Sequence, residues 1–355
     1  MAALAGAALV LSSQADLFLS VVVPRSVSAR FRPSTIFSRT GWPLWRDAAM
    51  RITDPERRED RLAMFAPLLL VTLLAYWVAS QMVGFGLIFW ALRHFLRPEP
   101  GIGGAIYFAG SSMLTIGYGD IVPVQGVPRA IALFAAGCGL ATFAIVTTFL
   151  FQTFGAFQRR EAFVVTISER TGAPPSGLEF VIRHYKLGLM RDVDLILRES
   201  QRWIAEVMET HLAYPVLTYF RSSHDDESWV GTVGAVLDAA TLFITTVDLD
   251  HRGQAEITAR IGTHLVRDFG NFFHLPGEDS AAVEYDEFAA AYAVLQGLGM
   301  PLHPLADAWP AFTAKRATYA IPLGAMAAWW RIPPARWIGD RSRVRMHVNV
   351  GPPRA

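Results

Sequence analysis

Two long uncharged runs constrain this chain more than anything else in it. No Asp, Glu, Lys or Arg occurs between Arg61 and Arg93, or between Arg129 and Arg159. A bilayer core of about 30 Å is crossed by about 20 apolar residues at about 1.5 Å per helical residue, so each run is long enough to span with tilt. A buried helix of a soluble protein is the alternative, and it is rarely so long. Composition points the same way, with 52% hydrophobic and 18% charged residues against a usual charged share of about a quarter. A formal net charge of +1 gives no strong field for nucleic acid or a polyanionic substrate. The single cysteine, Cys138, excludes an intrachain disulfide framework and any Cys-based zinc knuckle.

A third span is expected at residues 1–23, MAALAGAALVLSSQADLFLSVVV, which has about the right length. It lacks a basic leader and carries Asp16, so a cleaved secretory signal fits poorly. An acid inside a span needs a partner; Asp16 either pairs with Arg25 or Arg30 or sits at the polar end of its helix.

Residues 24–61 carry Arg25, Arg30, Arg32, Arg39, Arg46, Arg51, Arg57, Arg58 and Arg61. The positive-inside bias makes that segment cytoplasmic. The N-terminus then faces out, an outer helix at 62–92 runs outward, an inner helix at 128–158 runs back, and Arg159 and Arg160 mark the return. Trp42 and Trp45 fit either a helix lying along the inner interface or tryptophans packed on protein. No span carries arginine at every third position, so no voltage sensor of the Arg-rich kind is expected.

This arrangement leaves a short outer connection that contains SSMLTIGYGDIVP, residues 111–123. Before it, residues 105–114 are apolar but cross only about half a bilayer, which suits a re-entrant half-helix. Non-helical backbone at membrane depth is tolerated only where it is buried in protein or lines water. Backbone carbonyls aimed at one axis can replace a cation's hydration shell, and glycine permits the backbone angles this requires. Gly117 and Gly119 would therefore shape the path, with Ile116 and Tyr118 pointing away to pack on the half-helix. The Thr115 hydroxyl would add an inner oxygen, and Asp120 would concentrate cations just outside.

Thr115-Ile116-Gly117-Tyr118-Gly119-Asp120 resembles the selectivity-filter signature of potassium channels, whose TVGYG carbonyl rings are a known solution to K⁺ selectivity. The resemblance covers residues 62–158: outer helix, pore helix 105–114, filter 115–120 and inner helix. It implies K⁺ sites at the carbonyls of Thr115, Ile116, Gly117 and Tyr118, with Gly119 closing the filter and Asp120, Ser111 and Ser112 supporting it. Pro123 matches a proline often found after the signature. Leu114 departs from the threonine frequently found before the filter, and Ser111 and Ser112 stand where relatives place Thr or Glu. One filter strand per chain implies a homotetramer in the lipid bilayer, because LQGLGMPL at 295–302 lacks the Thr and Asp and reads as a turn. Gly137 and Gly139 are candidates for a gating hinge, or for close helix packing.

Residues 159–355 are enough for a domain of their own, expected to be cytoplasmic and mostly α-helical. It opens on EAFVVTISERTGAPPSG, a strand-like run followed by turn chemistry. Val193, Ile196, Leu197, Ile204, Val207 and Met208 then recur on one helical face. Further helices are expected near 229–247, 254–269, 284–298 and 307–330. The first of these is apolar apart from Asp238 and is read as the central helix of a soluble bundle rather than a fourth span. Gly231 and Gly234 form no nucleotide-binding fingerprint. His184, His224, Asp225, Asp248 and Asp250 faintly resemble the spacing of HD-type phosphohydrolases, although a solvated acidic loop accounts for them as well.

The expectation is an all-α membrane protein conducting K⁺ as its transported ion, with no enzymatic activity, no cofactor and no nucleic-acid partner. The tail would regulate it, with an unknown ligand or protein as partner. The alternative is a non-conducting, channel-shaped sensor that signals through the tail.

Overall fold

The computed structural model describes residues 1–21, 33–224, 226–275, 283–332, 335 and 337. Arg25 and Arg30, the expected partners of Asp16, and Asp225 lie outside the described residues. The protein is an all-α membrane protein, with three helices among the described residues long and apolar enough to cross a membrane. The chain divides into two compact units, residues 1–155 with 211–220, and residues 156–210 with 221–355.

In the first unit, α1 (Ala2–Val21) lies along α4 (Phe65–Ala91). A Cβ on Gly6 would fall 2.3 Å from the Gly84 carbonyl oxygen, so the two backbones meet where neither has a side chain. Polar side chains fasten the rest of the seam. Trp77 donates from Nε1 to Asp16 Oδ2 at 2.8 Å, Ser80 and Ser13 hydroxyls meet at 2.8 Å, and Gln14 donates to Gln81 Oε1 at 3.0 Å. Asp16 is thus buried against Trp77 in mid-protein, not exposed at a helix end. Such bonds hold helices together in lipid, where apolar contact alone gives little preference for protein over acyl chains.

Between α1 and α4 run α2 (Pro33–Ala49) and α3 (Pro55–Ala63), the latter capped by Asp54, which accepts from the Glu56 amide. Both tryptophans of α2 pack on protein. Trp42 is fully buried with its ring 5.1 Å from Phe65, and Trp45 donates to the Arg61 carbonyl at 2.7 Å. The outer helix is broken at Met64, so its apolar part starts at Phe65 rather than 62.

After α4 the chain makes β1 (Leu96–Arg97), α5 (Ile102–Met113) and β2 (Val122–Pro123). β1 and β2 pair antiparallel, Leu96 with Pro123 and Arg97 with Val122, and so tie the two ends of the loop containing α5. α5 starts three residues earlier than expected, with Gly101 as its N-cap. Its apolar face (Ala105, Phe108, Ala109, Met113) packs with Val10, Phe85, Phe89 and Ala135, the Phe89 and Phe108 rings edge to face at 4.7 Å.

The last apolar helix, α6 (Gly126–Thr171), runs well past the expected end at 158. EAFVVTISERT is therefore helix, not strand. Val164 and Ile167, three residues apart, are both buried, and Phe163 stacks on Trp203 at 4.6 Å; helical burial outweighs the β-branched preference of that run. The turn follows at Gly172, whose φ is +79.

The second unit continues with α7 (Gly177–Lys186), α8 (Val193–Ala213), α9 (Trp229–Thr245), α10 (Arg252–Phe273), α11 (Tyr285–Gly297), α12 (Leu305–Arg316) and α13 (Ala320–Trp330). Every residue of α9 is buried, and α7, α10, α12 and α13 pack around it. Its single charge, Asp238, accepts from Arg316 Nε at 3.1 Å and from the Tyr319 hydroxyl at 2.6 Å. A paired and hydrogen-bonded carboxylate is what a protein core tolerates. The helix expected over 307–330 is two helices, parted at 317–319 where Tyr319 turns in to reach Asp238.

His184 on α7 is buried; its ring meets the Phe180 carbonyl through Nδ1 at 2.8 Å and the Arg170 guanidinium through Nε2 at 3.1 Å. Since guanidinium only donates, Nε2 accepts and the ring is neutral. Burial pushes its pKa below the usual 6.5 and Arg170 adds to this, while the Phe180 carbonyl and Asp192 oppose it. Below pH 6.5 the unfolded chain then binds more protons than the folded one, so stability is present above that pH and falls as pH drops. Thermal unfolding of the purified protein between pH 7.5 and 5 is expected to show a melting temperature that declines on acidification, with a shallower decline in His184→Gln. Identical slopes in the two proteins would refute the assignment.

Candidate functional site

The segment SSMLTIGYGD leaves the helix at the end of α5 and adopts an unusual path. Leu114 caps α5, and the Thr115 amide donates to the Ser112 carbonyl at 3.1 Å. The Ile116 and Gly117 amides both reach back to the Ser111 carbonyl, at 2.8 and 3.3 Å. Ser111 and Ser112 thus hold the segment through their backbones, while the Ser111 hydroxyl is used within α5, donating to the Phe108 carbonyl at 3.1 Å.

From there φ alternates in sign. Thr115, Gly117 and Gly119 have φ of 57, 61 and 79, whereas Ile116 and Tyr118 are not among the positive-φ residues. Alternation of hand at successive residues is a path that can turn successive carbonyls to one side, and it is open to Gly at no steric cost. For Thr115, a β-branched residue, a positive φ is an outlier worth about 1–2 kcal/mol, of the kind that persists where surrounding structure imposes it. The spacing of the glycines was visible in the sequence; the same requirement at Thr115 was not, since residue type argues against it.

The side chains follow the expectation in part. Ile116 and Tyr118 are 48% and 68% exposed in the single chain. Tyr118 does lie on the half-helix, its ring parallel to that of Tyr107 of α5, ring centroids 6.3 Å apart and planes within 5°. The Tyr107 hydroxyl in turn faces the Asp120 carboxylate, so one α5 residue meets both Tyr118 and the acid that follows Gly119. Tyr107 was missed in the sequence because it lies two turns before the motif, in a run that reads only as apolar.

Beneath the segment, the two glycines of α6 separate. A Cβ on Gly139 would fall 2.0 Å from the Met113 carbonyl oxygen, whereas a Cβ on Gly137 would meet nothing within 4 Å. Gly139 is therefore the seat of α5 on α6. One turn further along, Thr142 exchanges hydrogen bonds with Gln81 at 3.1 and 3.3 Å, which extends the α1–α4 polar seam to α6. Among the described residues no three His, Cys, Asp or Glu side chains come together to hold a metal ion. Any cation held by Thr115 to Tyr118 would have to be coordinated by backbone and hydroxyl oxygens.

Residues 72–156 match a protein family described as ion channel. That interval contains most of α4, all of α5, the irregular segment and the apolar part of α6. An uncharacterized membrane protein of Bacillus subtilis (strain 168), YdjJ, is 27% identical over 187 residues, which is 51% of this chain and 54% of the relative. Protein LctB of Geobacillus stearothermophilus is 30% identical over 88 residues, 21% of this chain and 65% of the relative. The chain thus spans between about half and two thirds of the length of these two relatives. No solved structure matches it.

Proposed function

We propose that this protein is a potassium-selective channel, a homotetramer whose four copies of residues 115–120 form one filter. The observation that supports this most is the alternation of φ at Thr115, Gly117 and Gly119 within the sequence TIGYGD. In this reading the carbonyls of Thr115, Ile116, Gly117 and Tyr118, with the Thr115 hydroxyl, coordinate dehydrated K⁺, and each entering ion displaces the next. The carbonyl end of α5 adds a favourable potential for a cation at the inner mouth. Four chains are required because one strand contributes one carbonyl per level. Exposed apolar side chains agree with this: Ile116, Leu133, Phe134, Leu140, Phe143 and Phe151 are open in the single chain and call for neighbouring copies or lipid. The arginines of residues 24–61 favour an N-terminus outside and a C-terminus inside the cell membrane.

Purified protein in liposomes with an outward K⁺ gradient tests the reading. K⁺ flux at least about a hundredfold above Na⁺ flux is expected, since the filter discriminates by coordination. Equal fluxes would refute selectivity, and no flux of either ion would favour the channel-shaped sensor.

A further inference from the structure

Residues 211–220, HLAYPVLTYF, come from the tail yet belong with the membrane unit. The chain enters them from Thr210 and leaves them at Arg221, and both of those residues belong to the second unit. Val216, Leu217, Thr218, Tyr219 and Phe220 are all buried, the first four within a tight 3-10 turn at Pro215–Tyr219.

This strap touches both helices that flank the pore loop. On one side the Tyr219 ring lies 5.2 Å from Trp42 and 5.2 Å from Phe65, which are themselves 5.1 Å apart, so three rings close a triangle joining α2, the start of α4 and the strap. On the other side Tyr214 packs edge to face on Phe149 at 5.5 Å and donates its hydroxyl to Gln152 Oε1 at 2.9 Å. Phe220 meets Phe154 at 6.2 Å. Phe149, Gln152 and Phe154 lie on α6, the helix that would line the conduction path.

From this arrangement we infer that residues 211–220 are the element through which the tail sets the position of α6 against α4, and so the conducting state of the pore. The inference rests on the channel reading given above. Its mechanical basis is the burial of the strap against both helices. The strap contains no glycine, and α8 is helical through Ala213. At the exit, the Arg221 guanidinium donates to the Trp330 carbonyl at 2.7 Å, which anchors the return to α13. Movement of the strap would move rings that are wedged against both helices, and packed interfaces respond by switching rather than by deforming gradually.

A simple buttress would have the same contacts, so the test needs variants that keep the packing. Tyr214→Phe removes only the hydroxyl, and Gln152→Leu removes the carboxamide that accepts from it while keeping a side chain of similar size. Each is expected to change K⁺ flux in liposomes by about fivefold, the scale of one hydrogen bond, in the same direction. The double variant should match the singles, the mark of two residues acting through one contact. Tetramer content and the K⁺ to Na⁺ flux ratio should stay at wild-type values. Hydrogen exchange over residues 149–154 should quicken in Tyr214→Phe, a readout that does not depend on conduction. Flux within twofold of wild type together with unchanged exchange would overturn the strap. So would flux changes that merely follow loss of tetramer. Wild-type protein that carries no K⁺ while Tyr214→Phe still quickens exchange would overturn the channel reading and leave the strap's grip on α6 standing.

Discussion

Gly117→Ala is expected to abolish K⁺ flux while leaving the assembled protein intact. An added Cβ at Gly117 would meet nothing within 4 Å in the single chain, so crowding inside the protomer is not the obstacle. The obstacle is φ, which is +61 there. An L-residue with a Cβ costs about 1–2 kcal/mol in that region, and a four-membered ring would incur it four times, about 4–8 kcal/mol in all. The alanine segment would relieve this by turning its peptide planes, and a carbonyl turned away no longer coordinates an ion. At about 1.4 kcal/mol per tenfold, a loss of flux of at least about a hundredfold follows. Gly103→Ala is the control, since a Cβ there also meets nothing within 4 Å and its φ is not positive. Native mass spectrometry and liposome flux measure the two sides. Flux within tenfold of wild type in a Gly117→Ala tetramer would show that the alternating backbone is not what conducts.

The parts of this protein that were legible in the sequence are those fixed by a single physical period or limit. Lipid sets helix length, and so the uncharged runs located α4 and the apolar part of α6 directly. Helical spacing of apolar residues did the same for α8, whose Val193, Ile196, Leu197, Ile204 and Val207 are all buried. What misled was local preference set against tertiary continuity. The β-branched run VVTI read as a strand, yet α6 continues through it because Val164 and Ile167 find the second unit's core. Trp42 shows the same limit: a tryptophan amid arginines fits an interface, and only the positions of Phe65 and Tyr219 reveal a protein partner 177 residues further along the chain in the second case. In the candidate site the glycines were readable and their supports were not. Ser111 and Ser112 contribute carbonyls, which every residue has, so no side-chain pattern could single them out.

Gly139 is where support of α5 becomes testable. Hinge and packing roles were both open for Gly137 and Gly139 in the sequence, and they make different predictions. A hinge needs freedom of the backbone; a seat needs the absence of a side chain. An added Cβ on Gly139 would lie 2.0 Å from the Met113 oxygen, 2.7 Å from its carbonyl carbon and 2.9 Å from its Cα, all backbone atoms that no rotamer change can move. Gly139→Ala therefore has to push α6 and α5 apart, and overpacking of this kind costs about 1–3 kcal/mol. For a unit of the size of the first one that corresponds to a fall in melting temperature of about 2–12 °C. Because Met113 directly precedes Leu114 and Thr115, the displacement also reaches the first residue of the alternating segment, so the K⁺ to Na⁺ flux ratio should fall along with stability. Gly137→Ala should leave both at wild-type values, since its Cβ enters open space. If instead Gly139→Ala keeps the melting temperature and the selectivity and changes only how often the pore opens, the close contact with Met113 yields readily and the glycine acts as a joint rather than a seat.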